Sequence, residues 1–163
     1  FNANTIVRIT GDNPLTDPDM LDYMIKYHLK HGAEYSYTDD LPRGTRSEII
    51  EISTLKRCYE LIEDSNSSEY MTLMLKRPDK FKVLNVKTPD EKSRRPELRL
   101  TVDTQEDLDV VQKIYNVFHG NPPKLAKIIQ WLDSNPSIKN FNAHIIPTQI
   151  DSSINFRHKG DSD

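Results

Sequence analysis

The sequence predicts an α/β fold, with a mostly parallel or mixed sheet flanked by helices. Strand-like apolar runs alternate with helix-period stretches at the spacing of strand–helix–strand units. Two of those runs, residues 6–10 and 98–102, lead into single carboxylates, Asp12 and Asp103, as the chain turns. At 163 residues the chain is also long enough to bury a real core.

The elements follow in order. Residues 6–10 read as a buried strand. Asp17-Pro18-Asp19 opens a helix, with Met20, Met24, Ile25, His28 and Leu29 on one stripe and Gly32 closing it. Residues 34–38 form a short strand carrying Tyr35 and Tyr37, followed by a loop with turn chemistry at Leu41-Pro42-Arg43-Gly44. Residues 48–52 form another strand, and Ser53 is placed to cap a helix lined by Leu55, Cys58, Tyr59 and Ile62. Ser67-Ser68-Glu69 starts a further helix that stops before Pro78. Residues 81–86 and 98–102 read as strands separated by a charged loop. Leu108, Val111, Ile114 and Tyr115 line the next helix, and Leu125, Ile128, Ile129, Trp131 and Leu132 the last. The neighbourhood of Tyr35 and Ile49 is the place for an antiparallel portion. From about residue 148 onward periodicity gives way to polar residues, which read as a tail or linker.

A net charge of −3 argues against an electrostatic nucleic-acid binder. The local basic runs Lys92-Ser93-Arg94-Arg95 and Lys76-Arg77 read as solvated loops. The single cysteine, Cys58, falls on the apolar stripe of its helix and reads as a small buried residue in a reducing compartment. No apolar run approaches the roughly 20 residues that span a bilayer. A soluble, cytoplasmic protein is expected. Phe1-Asn2-Ala3-Asn4 leads straight into a strand without a cap, so the chain is expected to begin inside a domain.

Ligands of open α/β sheets bind beyond the carboxyl ends of the strands. Two strands ending side by side on Asp12 and Asp103 would place two hard oxygen ligands at one edge. That arrangement suits Mg²⁺ carried on nucleotide phosphates. Each Asp also has a local reading as a cap or turn residue, because Asp103 or Thr104 could cap the helix that follows. Arg8 lies inside an apolar strand and needs a carboxylate partner, which makes it structural. His28 and His31, three apart at a helix end, either bind a metal or interact with the helix C-terminus, the second being favoured.

The string Val7-Arg8-Ile9-Thr10-Gly11-Asp12-Asn13-Pro14-Leu15-Thr16-Asp17-Pro18 resembles a segment of the cytidylyltransferases related to spore-coat polysaccharide biosynthesis protein F. These are cousins of the CMP-sugar synthetases. Other segments are similar in the same order: Leu41-Pro42-Arg43-Gly44 with Ser47-Glu48-Ile49, then Ser68-Glu69-Tyr70-Met71-Thr72 ahead of Arg77-Pro78-Asp79-Lys80-Phe81. Leu98-Arg99-Leu100-Thr101-Val102-Asp103-Thr104-Gln105-Glu106-Asp107-Leu108 and the closing Phe141-Asn142-Ala143-His144 complete the set. The resemblance runs from about residue 5 to 146. It implies a nucleotide-diphospho-sugar transferase type of fold and transfer of the nucleotidyl part of CTP to a sugar, with release of pyrophosphate. Asp12 and Asp103 would then be the catalytic Mg²⁺ ligands. Arg43, Gly44 and Glu48 would lie on the sugar side, with Arg43 pairing an acidic sugar's carboxylate and Glu48 accepting sugar hydroxyls. A homodimer is expected from the resemblance alone, with residues 69–80 and 35–37 as candidate surfaces.

Three departures qualify that reading. Nothing here matches the family's opening strand and nucleotide-binding loop, so residues 1–147 are expected to be the C-terminal part of such a domain, with 148–163 as tail. Tyr70 stands where the family often has His. Arg46 stands where it has Asp, which reverses a charge beside the presumed acceptor pocket and favours an anionic substrate. The alternative reading is a noncatalytic sugar-binding or interaction module built on the same fold.

Overall fold

Strand β3 (Glu48–Glu51) organises the molecule, because its two central side chains face opposite ways into two separate cores. Ile49 and Ile50 are both fully buried, as successive side chains must be in a strand covered on both faces. The computed structural model describes residues 2–63, 71–120, 124–146 and 157–161. Four strands form one sheet in the order β1-β3-β2-β4, with β1 at Thr5–Arg8, β2 at Tyr35–Tyr37 and β4 at Val83–Asn85. On the Ile49 face lie helices α1 (Pro18–His31), α4 (Gln105–Val117) and α5 (Leu125–Ser134). On the Ile50 face lie α2 (Ile52–Leu61) and α3 (Met71–Leu75). A one-turn helix α6 (Pro136–Lys139) follows α5.

The sheet is mixed rather than mostly parallel. β3 runs antiparallel to both β1 and β2, and only β2 and β4 pair in parallel. The alternation of strand, helix and strand reports direction for β1 and β2, which both oppose β3, but not for β3 and β4, which run oppositely although helices separate them. It does not report neighbours, and β3 inserts between β1 and β2. β3 itself returns the chain between the parallel strands β2 and β4, and α2 and α3 lie in the connection from β3 to β4.

Local signals explain most element ends. Asp17 caps α1 by accepting hydrogen bonds from Asp19 and Met20 N–H at 2.8 and 3.2 Å, with Pro18 in the first turn. Gly32 ends the helix in the left-handed region at φ +56°. Met20, Met24 and His28 face inward, whereas Leu29 is 59 % exposed, off the stripe that the sequence suggests. His28 is buried between Ser36 Oγ at 2.8 Å and Glu51 at 3.0 Å, and His31 Nδ1 meets the Tyr27 carbonyl at 2.8 Å. Cys58 is buried in the Ile50-side core, and burial pushes its thiol pKa up. Ser53 is not a cap. β3 runs straight into α2, Glu51 occupies the cap position without a side-chain bond, and Ser53 lies exposed in the first turn. The helix start at Ser67-Ser68-Glu69, with Tyr70, lies outside the described residues. Residues 157–161 lie against the end of α2, where Lys159 N–H reaches the Leu61 carbonyl at 2.7 Å and Asp161 pairs with Arg77 and Lys80. No helix among the described residues is long and apolar enough to cross a membrane.

The run 98–102 is a correction of substance, because it is not a sheet strand. Leu98 and Leu100 are buried as the alternation requires, but the backbone pairs with a loop. Arg43 N–H donates to the Leu98 carbonyl at 2.9 Å, and Leu100 N–H donates to the Arg43 carbonyl at 2.7 Å. Gly44 is what permits this approach. Its φ is +93°, and a Cβ there would sit 2.1 Å from the Thr101 nitrogen and 2.3 Å from the Leu100 carbonyl carbon. Beyond the run, Thr104 caps α4 reciprocally with Asp107. Asp107, with no exposed side-chain surface, accepts from the N–H groups of Asp103 and Thr104, both at 3.1 Å, from two Arg99 nitrogens at 2.8 Å, and from Asn142 at 2.7 Å.

Two predictions follow from this contact region. Gly44→Ala combines an unfavourable backbone with an overpacked contact and should lower unfolding free energy in urea by about 3 kcal/mol. Burial alone would raise the Asp107 pKa, but Arg99, Asn142 and the Asp103 N–H outweigh it and hold it at about 2. A carboxylate depressed in the folded state contributes stability above its ordinary pKa and loses it as pH falls. Relative to Asp107→Asn, the ionised group should therefore contribute about 2 kcal/mol at neutral pH, with about half lost by pH 3. Urea titrations of both proteins across that range check it.

Candidate active site

The loop leaving β1 is fixed to the 98–103 run by a hydrogen bond from Val102 N–H to the Asp12 carbonyl at 2.9 Å. Asn13 closes the turn by donating through its backbone N–H to the Thr10 carbonyl and through its side chain to Thr10 Oγ1, both at 3.0 Å. These bonds bring the two carboxylates singled out by sequence together. The buried Thr101 hydroxyl lies 3.3 Å from Asp12 Oδ2 and 3.4 Å from Asp103 Oδ1. Asp12 Oδ1 is buried and has no hydrogen-bond partner among the described residues. Asp103 is 38 % exposed at its side chain, and its Oδ2 accepts from Arg99 Nη2 at 2.7 Å.

This donor set fits a hard divalent cation. A buried carboxylate oxygen without a partner is costly, and a cation ligated by Asp12 and Asp103 would satisfy it. Two carboxylates with open remaining positions are the usual protein share for Mg²⁺ bound with phosphates. Among the described residues no group of three or more His, Cys, Asp or Glu side chains forms an all-protein cage.

Beside the carboxylates opens a cavity of about 420 Å³, lined by Asp12, Asn13, Arg43, Gly44, Arg46, Pro96 and Thr101. A second of about 180 Å³ shares Asn13 and Arg46 with it and extends to Arg8, Tyr37, Ser47, Glu48 and Lys76. Arg43 and Gly44 therefore line the space that Asp12 borders, and Glu48 lines its neighbour. Arg43 is held by its backbone alone, and no hydrogen bond or ion pair engages its guanidinium among the described residues. Among the described residues Arg46 donates only through Nε, to the Leu41 carbonyl at 2.9 Å. Burial lowers its pKa, opposed by Asp39 and Asp40.

Glu48 is more than a strand-face residue. It pairs across the sheet with Arg8, whose Nη1 donates to Oε2 at 2.7 Å, and Tyr35 donates its hydroxyl to Oε1. Burial, with Glu48 beside it, pushes the Tyr35 hydroxyl pKa well above the ordinary phenol range. Arg8 has the carboxylate partner expected of it, and it also borders the second cavity.

Sequence reasoning left out Thr101, Arg99, Asp107 and Asn142. Arg99 carries the same signal as Arg8, an arginine within an apolar run. Asp107 three residues after Thr104 is a capping-box spacing. Asn142 lies in the closing segment of the resemblance, and its side chain donates to the Arg99 carbonyl at 3.1 Å from 43 positions away.

A family model described as cytidylyltransferase matches residues 1–130. The spore coat polysaccharide biosynthesis protein SpsF of Bacillus subtilis is 34 % identical over 137 residues, covering 82 % of this chain and 56 % of that protein. An uncharacterized protein of Methanocaldococcus jannaschii is 32 % identical over 146 residues, covering 89 % of this chain and 60 % of its own length. The structure of a cytidylyltransferase from Leptospira borgpetersenii superposes with a TM-score of 0.76 at 28 % identity, covering 85 % of this chain and 59 % of the other. The chain thus spans somewhat over half the length of the relatives it matches. Matched along most of its length in sequence, and in fold to a solved member, the chain belongs to the cytidylyltransferase family.

Proposed function

We propose that this chain supplies the cation-binding and acceptor-binding side of a CTP-dependent sugar cytidylyltransferase serving surface-polysaccharide synthesis. The observation that carries the reading is the convergence of Asp12 and Asp103 on Thr101, with a buried, unpartnered oxygen on Asp12, which borders a cavity also lined by Arg43 and Arg46. In the reaction a sugar hydroxyl oxygen bonds to the α-phosphorus of CTP as the bond from that phosphorus to pyrophosphate breaks. The hydroxyl proton is released, and CMP-sugar and pyrophosphate are the products. Asp12 and Asp103 would hold Mg²⁺, which when bound neutralises charge on the phosphate oxygens.

The other residues bind and orient. Gly44 keeps its loop against Thr101, so that Arg43 and Arg46 flank the same cavity as Asp12. Their unpaired guanidinium nitrogens suit an acceptor that carries its own anionic group, such as a sugar acid. Glu48, oriented by Arg8 and Tyr35, would accept sugar hydroxyls in the adjoining space.

In thermal unfolding, Mg²⁺ should stabilise the chain through the two carboxylates. Asp12→Asn and Asp103→Asn should each abolish that shift while keeping the fold; a shift that survives both changes refutes the assignment. A response to sugar acids alone, with none to Mg²⁺, would instead support a noncatalytic sugar-binding module. Calorimetric titration with a uronic acid and its parent neutral sugar addresses the acceptor. Arg43→Gln and Arg46→Gln should each weaken the acid about tenfold and leave the neutral sugar unchanged.

A further inference from the structure

Arg99 presents a difficulty for any cation bound at Asp103. Its side chain is only 8 % exposed, and its guanidinium donates to Asp103 Oδ2 at 2.7 Å. An isolated arginine so close would neutralise the carboxylate that a divalent cation needs. The structure holds a second carboxylate against the same arginine. Asp107 receives Nε and Nη2, both at 2.8 Å, so Arg99 engages Asp107 through two atoms and Asp103 through one.

The charges then sum differently from a simple pair. Arg99, Asp103 and Asp107 together carry a net −1, and Asp12 adds a second negative charge beside them. Asn142 fixes the arrangement from the far end of the chain, donating to Asp107 Oδ1 at 2.7 Å and to the Arg99 carbonyl at 3.1 Å. Asp107 touches neither cavity beside the carboxylates. Its effect on the site must therefore pass through Arg99 and the backbone of Asp103.

We propose that Asp107 is a positioning and charge-balancing residue, which holds Arg99 so that Asp103 keeps its negative charge for a divalent cation. The inference rests on the cation reading of Asp12 and Asp103. A merely structural Asp107 would cap α4 and secure Arg99 without altering cation affinity.

Titration of the 163-residue chain with Mn²⁺, followed by calorimetry and by the paramagnetic signal of free Mn²⁺, separates the two roles. Circular dichroism checks each variant's fold. Wild type should bind and Asp12→Asn should not. Asp107→Asn should bind about tenfold or more weakly, because Arg99 then compensates Asp103. Thr104→Ala, which removes the other half of the capping box, should stay within about threefold of wild type, as should the charge-neutral double variant Arg99→Gln/Asp107→Asn. Arg99→Gln alone should bind about tenfold more tightly, a reading independent of whether Asp107→Asn folds.

Asp107→Asn at wild-type affinity, with Asp12→Asn still inactive in binding, overturns the proposal and leaves the cation site standing. Equal losses in Asp107→Asn and the double variant overturn it by assigning the effect to structure, and so does unchanged or weaker binding by Arg99→Gln. If wild type does not bind, or Asp12→Asn binds as well as wild type, the cation reading fails and the proposal falls with it.

Discussion

The contact on which the site depends is the meeting of three chain segments with no sheet between them. Val102 N–H holds the Asp12 carbonyl, Arg43 and Leu100 exchange backbone bonds, and Gly44 lies where no side chain would fit. Each segment leaves a different part of the fold: the end of β1, the connection from β2 to β3, and the approach to α4. Their backbone polar groups would be stranded in a partly buried region unless they satisfied one another. By doing so they place Asp12, Arg43, Gly44 and Thr101 around one space. The cavity is thus a consequence of how irregular chain is packed, and its shape is fixed by backbone more than by side-chain choice.

Behind that surface lies a buried ion pair whose contribution is orientation. Ion pairs as enclosed as Arg99 and Asp107 gain little net stability over apolar residues of similar volume, because desolvation offsets most of the attraction. Here the pair also caps a helix, receives Asn142 and anchors the backbone of Asp103. The same logic applies at lower burial to Arg8 and Glu48, where Tyr35 supplies the third partner. In both places an arginine constrains a carboxylate that borders, or controls, the candidate site.

What sequence makes legible, and what it hides, divides along physical lines. Helix signals are local, and the Asp17 cap, the Gly32 stop and the inward Met20–Met24–His28 stripe could all be seen in a few consecutive residues. Asp12 and Asp103 were visible as paired ends of apolar runs, and the structure brings them together. The run before Asp103 nonetheless misleads, since alternating burial at Leu98 and Leu100 is equally satisfied by pairing with a loop. Ser53 misleads for the opposite reason, because a strand that continues directly into a helix leaves no room for a capping turn. Asn142 belongs to the closing segment of the resemblance, but only the fold reveals that it closes the polar network.

The arrangement of free and engaged cations gives the site its direction. Arg99 and Arg8 are committed to carboxylates and act as fixtures. Arg43 and Arg46 leave guanidinium nitrogens unengaged toward the shared space, with Arg46 half-buried and held only through Nε. Keeping a cation partly desolvated and unpaired is unfavourable in the empty site. A ligand that supplies the missing negative charge removes that cost, while a neutral ligand leaves it in place. Under the proposed function, discrimination by charge would follow from Arg43 and the terminal nitrogens of Arg46, and discrimination by hydroxyl geometry from the fixed carboxylate of Glu48.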